Sequence, residues 1–137
     1  MSTTTGQLTA MLNSIPVRPV MGAENTARLL EMLGECSITC EICADACLAE
    51  DMVADLGRCI TLDLHCAETC DAIAHVIARM SEADTDLLRS GLQHCAEVCR
   101  ACATECEAHA SMMEHCRRCA ETCRRCLHAC REASGKL

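Results

Sequence analysis

All sixteen cysteines of this chain fall on lines of alternating four- and three-residue steps. One line runs Leu88, Leu92, Cys95, Cys99, Cys102, Cys106, His109 and Met113, through the segment HCAEVCRACATEC. A second runs Met112, Cys116, Cys119, Cys123, Cys126, Cys130 and Ala133, and a third Leu29, Leu33, Cys36, Cys40, Cys43, Cys47 and Glu50. The fourth reads Met52, Leu56, Cys59, Asp63, Cys66, Cys70, Ile73 and Ile77, with a lone aspartate where the other lines carry cysteine. This spacing is the inward seam of an α-helix in a bundle, the place of apolar a and d residues. The sulfurs are therefore predicted to face one another along a common axis.

The rest of the sequence agrees with helix. Beyond residue 22 there is no proline and no glycine-rich linker, and Ala, Glu, Leu, Arg and Met are frequent. Capping residues punctuate the pattern at Asp51, at Ser81 with Asp84 three residues on, and at Ser111 with Glu114. Four helices are predicted, roughly 23 to 49, 52 to 79, 82 to 109 and 112 to 133. The turns are short, so neighbours run antiparallel. The fold class is all-α: an antiparallel up-down-up-down four-helix bundle over residues 22–137 with a Cys-lined core. Residues 1–21, with Pro16 and Pro19, form a leading arm in which QLTAMLN is a short helix candidate. HCAETC at 65 to 70 and HCAEVC at 94 to 99 nearly match, and CAETC returns at 119 to 123. Four helices with such repeats fit a closed bundle of duplicated hairpins better than a solenoid.

The predicted bundle has two unlike ends. Leu29, Leu33, Ile73, Ile77, Leu88 and Leu92 form an apolar plug at one. At the other the seams continue into Met52, His109, Met112 and Met113, with Glu50, Asp51 and Asp55 nearby, which is where ions would pass.

Composition sets limits. A chain of 137 residues is the size of one compact domain. With no Phe, Tyr or Trp, its interior consists of aliphatic side chains and sulfur. So many cysteines in a short secreted chain would signal a disulfide scaffold. The opening MSTTTGQLTAMLNSIPVRPVMG, however, has no basic region followed by an apolar run and no twin arginine. A reducing cytoplasm is the expected location, and no run approaches the roughly 18 apolar residues of a membrane span. The net charge of −8 divides into −11 for residues 1–111 and +3 for residues 112–137. With no aromatics to stack on bases, Arg117, Arg118, Arg124, Arg125 and Arg131 read as a solvated face pairing with acidic neighbours, not as a nucleic-acid site.

Burial as a small hydrophobe explains one or two seam cysteines but not all of them. Disulfides along one helix fail on geometry: side chains three or four apart have Cβ atoms about 5 to 6 Å apart, against about 3.8 Å in a disulfide. C-x3-C-x2-C at Cys36/Cys40/Cys43, Cys95/Cys99/Cys102 and Cys119/Cys123/Cys126 matches an iron-sulfur motif, but here it is simply the seam. Metal-thiolate binding remains. Zinc favours closed sites of four ligands. Cu(I) is soft, takes thiolate and thioether, and is content with few ligands. One monovalent ion per displaced thiol proton also leaves a buried core neutral, which divalent ions at that density would not.

At this point the chain resembles the four-helix-bundle copper-storage proteins of the cytosolic branch, over about residues 22 to 134. The resemblance implies a bacterial protein that stores and buffers many Cu(I) ions, protecting against copper or supplying it. It also implies homotetramers of bundles and transient exchange with copper chaperones, without nucleic-acid or membrane partners. Carried over by residue, the store is Cys36, Cys40, Cys43, Cys47, Cys59, Cys66, Cys70, Cys95, Cys99, Cys102, Cys106, Cys116, Cys119, Cys123, Cys126 and Cys130. His109, Met112, Met113 and Met52 are expected mouth residues, and Asp63 a weak ligand, a hydrogen-bond acceptor or a gap in the array. His65, His94 and His115 each precede a cysteine and so sit about 100° off the seam, which predicts solvent-facing or interhelical roles. His75 and His128 read as surface. No acid/base pair or substrate pocket is legible, so no enzymatic turnover is expected. The alternatives are a metal- or redox-sensing regulator, a zinc-thiolate protein and a thiol-disulfide enzyme.

Overall fold

The computed structural model describes residues 2–79 and 84–137. Among them are five α-helices and no strand: α1 (Thr3–Ser14), α2 (Ala23–Leu48), α3 (Gly57–Ala78), α4 (Thr85–His109) and α5 (Glu114–Gly135). A single 3-10 turn, Val53–Asp55, precedes α3.

The helix starts depart from the capping signals in the sequence. Asp84 caps α4 by accepting from the backbone N–H of Asp86 at 3.0 Å and Leu87 at 3.1 Å. Ser81, the other residue of that signal, lies outside the described residues. Asp51 caps nothing: the chain makes its 3-10 turn first, and α3 begins after Leu56 without a side-chain cap. Nor does Ser111 cap α5, whose N-cap is Met113. The N–H groups of Met112 and Met113 instead reach back to the carbonyl of His109, at 3.1 Å each. A tight backbone turn thus satisfies these groups and leaves the Ser111 hydroxyl no role.

The leading arm is more helical than its sequence predicts. Ser2 Oγ accepts the Thr5 N–H at 3.0 Å, and the whole of Thr3–Ser14 is helix. Hydroxyls of Ser2 and Thr5 donate to the Glu31 carboxylate, pinning α1 to α2. Between them the chain turns at Gly22, whose φ of 83° lies where a side chain is strained. Thr26 then returns its hydroxyl to the Gly22 carbonyl at 2.7 Å.

The four long helices pack in a ring, α2 on α3, α3 on α4, α4 on α5 and α5 back on α2. Across α2 and α5, Cys36 and Cys40 meet Cys123 while Cys43 meets Cys116, so residue numbers run in opposite directions. Across α3 and α4 the same holds, from Cys59 with Cys106 to Cys70 with Cys95. All sixteen cysteines are buried inside the ring. At the far end the expected plug is present: Leu29, Leu33, Ile77, Leu88 and Leu92 are buried, and Ile73 packs against them. There α4 carries Gly91, where a Cβ would stand 2.8 Å from Ile73 Cδ1, so the small residue admits the isoleucine.

Candidate metal centre

The seams bring the sulfurs into a continuous column. Cross-helix Sγ–Sγ distances are 3.6 Å for Cys40 and Cys123, 3.7 Å for Cys59 and Cys106, 3.7 Å for Cys66 and Cys99, and 3.9 Å for Cys36 and Cys66. A metal-sulfur bond of about 2.3 Å makes the edge of a tetrahedron of sulfurs about 3.8 Å. The thiols therefore already stand at ligand spacing. They are all free.

The column is built of overlapping quartets whose ligand atoms lie within 4.8 Å of one another. Cys43, Cys47, Cys59 and Cys116 form the one nearest the two turns. Next come Cys43, Cys59, Asp63 and Cys106, then Cys40, Cys102, Cys119 and Cys123. Cys36, Cys40, Cys66 and Cys123 follow, and then Cys36, Cys66, Cys70 and Cys99. The first two share Cys43 and Cys59, the third and fourth Cys40 and Cys123, and the fourth and fifth Cys36 and Cys66. The second and third have no common residue and are joined by the contacts of Asp63 Oδ1 with Cys102 and Cys119. Beyond them Cys95 continues the column, 3.8 Å from Cys70. Shared corners let one thiolate bridge two ions, so the column suits clusters rather than isolated sites.

Asp63 sits inside this column, fully buried. Its Oδ1 accepts thiol hydrogens from Cys102 at 3.1 Å, Cys119 at 3.3 Å and Cys106 at 3.5 Å. Burial, followed by the neighbouring Cys119 sulfur, pushes its carboxyl up to about 8. Of the three expected roles, accepting hydrogen bonds is the one the contacts display. Raised that far, the carboxyl stays protonated at moderate pH, which keeps a negative charge out of the thiol-lined core.

The outermost quartet holds its protons unequally. Burial, then the Cys59 sulfur, pushes the Cys47 thiol up to about 11, and burial raises Cys116 as well. Cys59 is lowered instead, because the S–H groups of Cys106 and Cys43 donate to its sulfur.

The turn end gathers the predicted mouth residues unequally. Met113 is buried, Met52 packs partly buried against the core, and Met112 is 58% exposed. His109 Nε2 lies 3.0 Å from Glu105 Oε2, while its Nδ1 is buried with no hydrogen-bond partner. A second imidazole is present that the spacing argument set aside. His115 Nδ1 lies 3.4 Å from Cys43 Sγ and 3.7 Å from Cys116 Sγ, and its Nε2 lies 3.1 Å from Glu50 Oε1. The 100° offset from the seam does point it into the α2–α5 interface, but two seam sulfurs reach that interface too. The signal that could have found it is the pairing of Glu50 with His115, both next to the seam at the same end. His65 and His94 stand apart from the sulfurs, paired across α3 and α4 with ring centroids 6.2 Å apart.

The basic stretch of α5 is engaged in ion pairs. Arg117 bridges to Glu121 at 2.6 Å and also reaches Glu114, Arg124 pairs with Glu107 at 2.6 Å, and Arg125 with Glu35 at 2.9 Å. Arg118 keeps a longer contact to Glu114, at 3.5 Å.

A helical ring enclosing linked quartets of reduced thiols defines a protein that holds soft metal ions in number. The profile of the copper storage protein family, Csp, matches residues 22–135, and the chain belongs to that family. Among solved structures it is similar to the copper storage protein Ccsp of Streptomyces lividans loaded with 10 copper equivalents. That match has a TM-score of 0.90 and 45% identity over 95% of this chain and 99% of the other. A structure of copper loading to a cytosolic copper storage protein of S. lividans, with five coppers, matches at TM-score 0.82 and 49% identity, covering 83% of this chain and 95% of that one. A histidine-to-alanine variant of S. lividans Ccsp matches at 0.80 and 49%, over 82% of this chain and 93% of the other. No curated protein matches the chain. Among the described residues no helix is long and apolar enough to cross a membrane.

Proposed function

We propose that this protein stores and buffers Cu(I) in the cytosol, and that its sixteen cysteines, with Asp63, are the store. The observation that carries this is the column of buried free thiols at metal-ligand spacing, linked through shared corners and, at its middle, through Asp63. Each ion displaces a thiol proton, so the core stays near neutral as it fills, and shared thiolates bind the ions as clusters. The copper-loaded S. lividans structures at 45% and 49% identity support copper as the cargo. Residues 22–137 act as the binding unit, an up-down-up-down antiparallel four-helix bundle, with residues 1–21 as an arm docked on it. The opposed residue order across α2–α5 and α3–α4 supports that topology.

Copper passes through the turn end, where His109, His115, Met52, Met112 and Met113 supply nitrogen and thioether donors. The unpartnered Nδ1 of His109 and the contact of His115 with Cys43 support this direction. The protein works without turnover, as a homotetramer that exchanges copper transiently with chaperones. Arg117, Arg118, Arg124 and Arg125 of α5 are held in ion pairs, which favours storage over a DNA-bound regulator. The test is native mass spectrometry of reduced protein offered Cu(I) and Zn(II) together. Many Cu(I) ions per chain are expected, with zinc displaced; a chain that keeps a few zinc ions and rejects Cu(I) would refute storage.

A further inference from the structure

A groove of about 340 Å³ runs along the outside of the α2–α5 contact, and its lining includes Cys43. No other seam cysteine lines it. It falls in the size range of small-ligand sites, about 300 to 1,000 Å³. Its walls carry charges of both signs: Arg118 and Arg125 on α5, Glu35 on α2 and Glu121 on α5. Glu121 pairs with Arg117 and Glu35 with Arg125, while Arg118 is 70% exposed and holds only its 3.5 Å contact to Glu114. His115 lines the same groove, its Nδ1 3.4 Å from Cys43 Sγ. A thiol, an imidazole and a mixed guanidinium-carboxylate wall thus adjoin one another on the outside of the store.

The geometry points to this groove as the docking site of a low-molecular-weight amino-acid thiol that delivers or removes Cu(I) at Cys43. This rests on the reading of the core as a Cu(I) store. A thiol built on an amino acid or short peptide carries a carboxylate, an ammonium group and the sulfur that holds copper. Arg118 takes the carboxylate, with Arg125 beside it, as guanidinium groups do in charge-assisted pairs. The acidic wall faces the ammonium group. The sulfur then lies against Cys43. In the transfer step the Cys43 sulfur forms a bond to Cu(I) and one carrier sulfur leaves it. The proton given up by Cys43 ends on the departing thiolate, so carrier thiol is released and copper stays Cu(I). A neutral carrier such as 2-mercaptoethanol has no group for the arginines and gains nothing from the groove.

The experiment compares Cu(I) transfer into reduced full-length apoprotein, under anaerobic stopped flow, from Cu(I)-glutathione and from Cu(I)-2-mercaptoethanol. Wild type, Arg118→Glu, Arg125→Glu and Arg118→Lys are run with both donors, with helicity and final copper content measured for each. The charge reversals are expected to slow transfer from glutathione about three- to tenfold and to leave the neutral donor's rate unchanged, with Arg118→Lys retaining most of the rate. Equal rates for all variants, or equal slowing with both donors, overturns the groove. A final content of only a few ions from either donor overturns the storage reading instead, so the two failures are told apart.

Discussion

Asp63 Oδ1 lies 3.1 Å from Cys102 Sγ, the shortest of the three thiol contacts that converge on this one carboxylate oxygen. A carboxyl pushed up to about 8 is neutral in the folded apoprotein at moderate pH but ionised in the unfolded chain above the usual value of 3.8. The unfolded state then binds fewer protons, so stability falls as pH rises between those values. From pH 5 to 8 the loss from this group is on the order of 3 to 4 kcal/mol at 1.36 kcal/mol per unit. Urea unfolding of reduced apoprotein across that range is expected to show the decline, and Asp63→Asn to remove most of it. Parallel pH profiles for the two proteins would contradict the assignment.

His115 bridges Glu50 to the sulfurs of Cys43 and Cys116. Replacing it by alanine removes a nitrogen donor beside the outermost quartet but none of the thiols. Uptake from a neutral Cu(I) complex is expected to slow several-fold while final capacity stays within about one ion of wild type. An unchanged rate would show that His115 only packs there.

Stability and capacity are carried by different layers of the core. Leu92, fully buried in the plug, is expected to cost about 2 to 5 kcal/mol as Leu92→Ala and to leave the copper content of the folded protein unchanged. Cys99→Ala, which removes a sulfur 3.7 Å from Cys66 and 4.0 Å from Cys70, is expected to cost only about 1 kcal/mol of apo stability. It should lower capacity by one or two ions. Denaturation midpoints and copper contents of the two variants check both halves.

The reduced apoprotein is expected to be folded before any metal arrives. Its core is closed by thiols that act as small hydrophobes and by Leu33, Leu56, Ile77 and Leu92, all fully buried. Far-ultraviolet circular dichroism of metal-free protein under reductant checks this. A helical spectrum that copper barely changes is expected; a random-coil spectrum would contradict it.

The seam was legible because steps of three and four residues, read against 3.6 residues per turn, place side chains on one face of a helix. Every cysteine assigned inward by its step of three or four is buried, and Asp63 is buried with them. The helix starts were less legible, since at Asp51 and Ser111 backbone turns satisfied the groups that a side-chain cap would have served. His115 was missed for a related reason. One residue's offset rotates a side chain away from the axis of its own helix, but what it then meets depends on the neighbouring helix. Here α2 presents Cys43 at that level. The helical arm was underread because its anchor, Glu31, lies 26 residues beyond Thr5.

Titrating fully reduced apoprotein anaerobically with Cu(I) against a coloured chelator tests the account most directly, with protein quantified by its thiols because no Trp or Tyr absorbs. Uptake of about ten or more ions per chain, most of the way to one per cysteine, is the predicted result. Saturation at about four ions or fewer would contradict a store and leave the quartets as discrete structural sites.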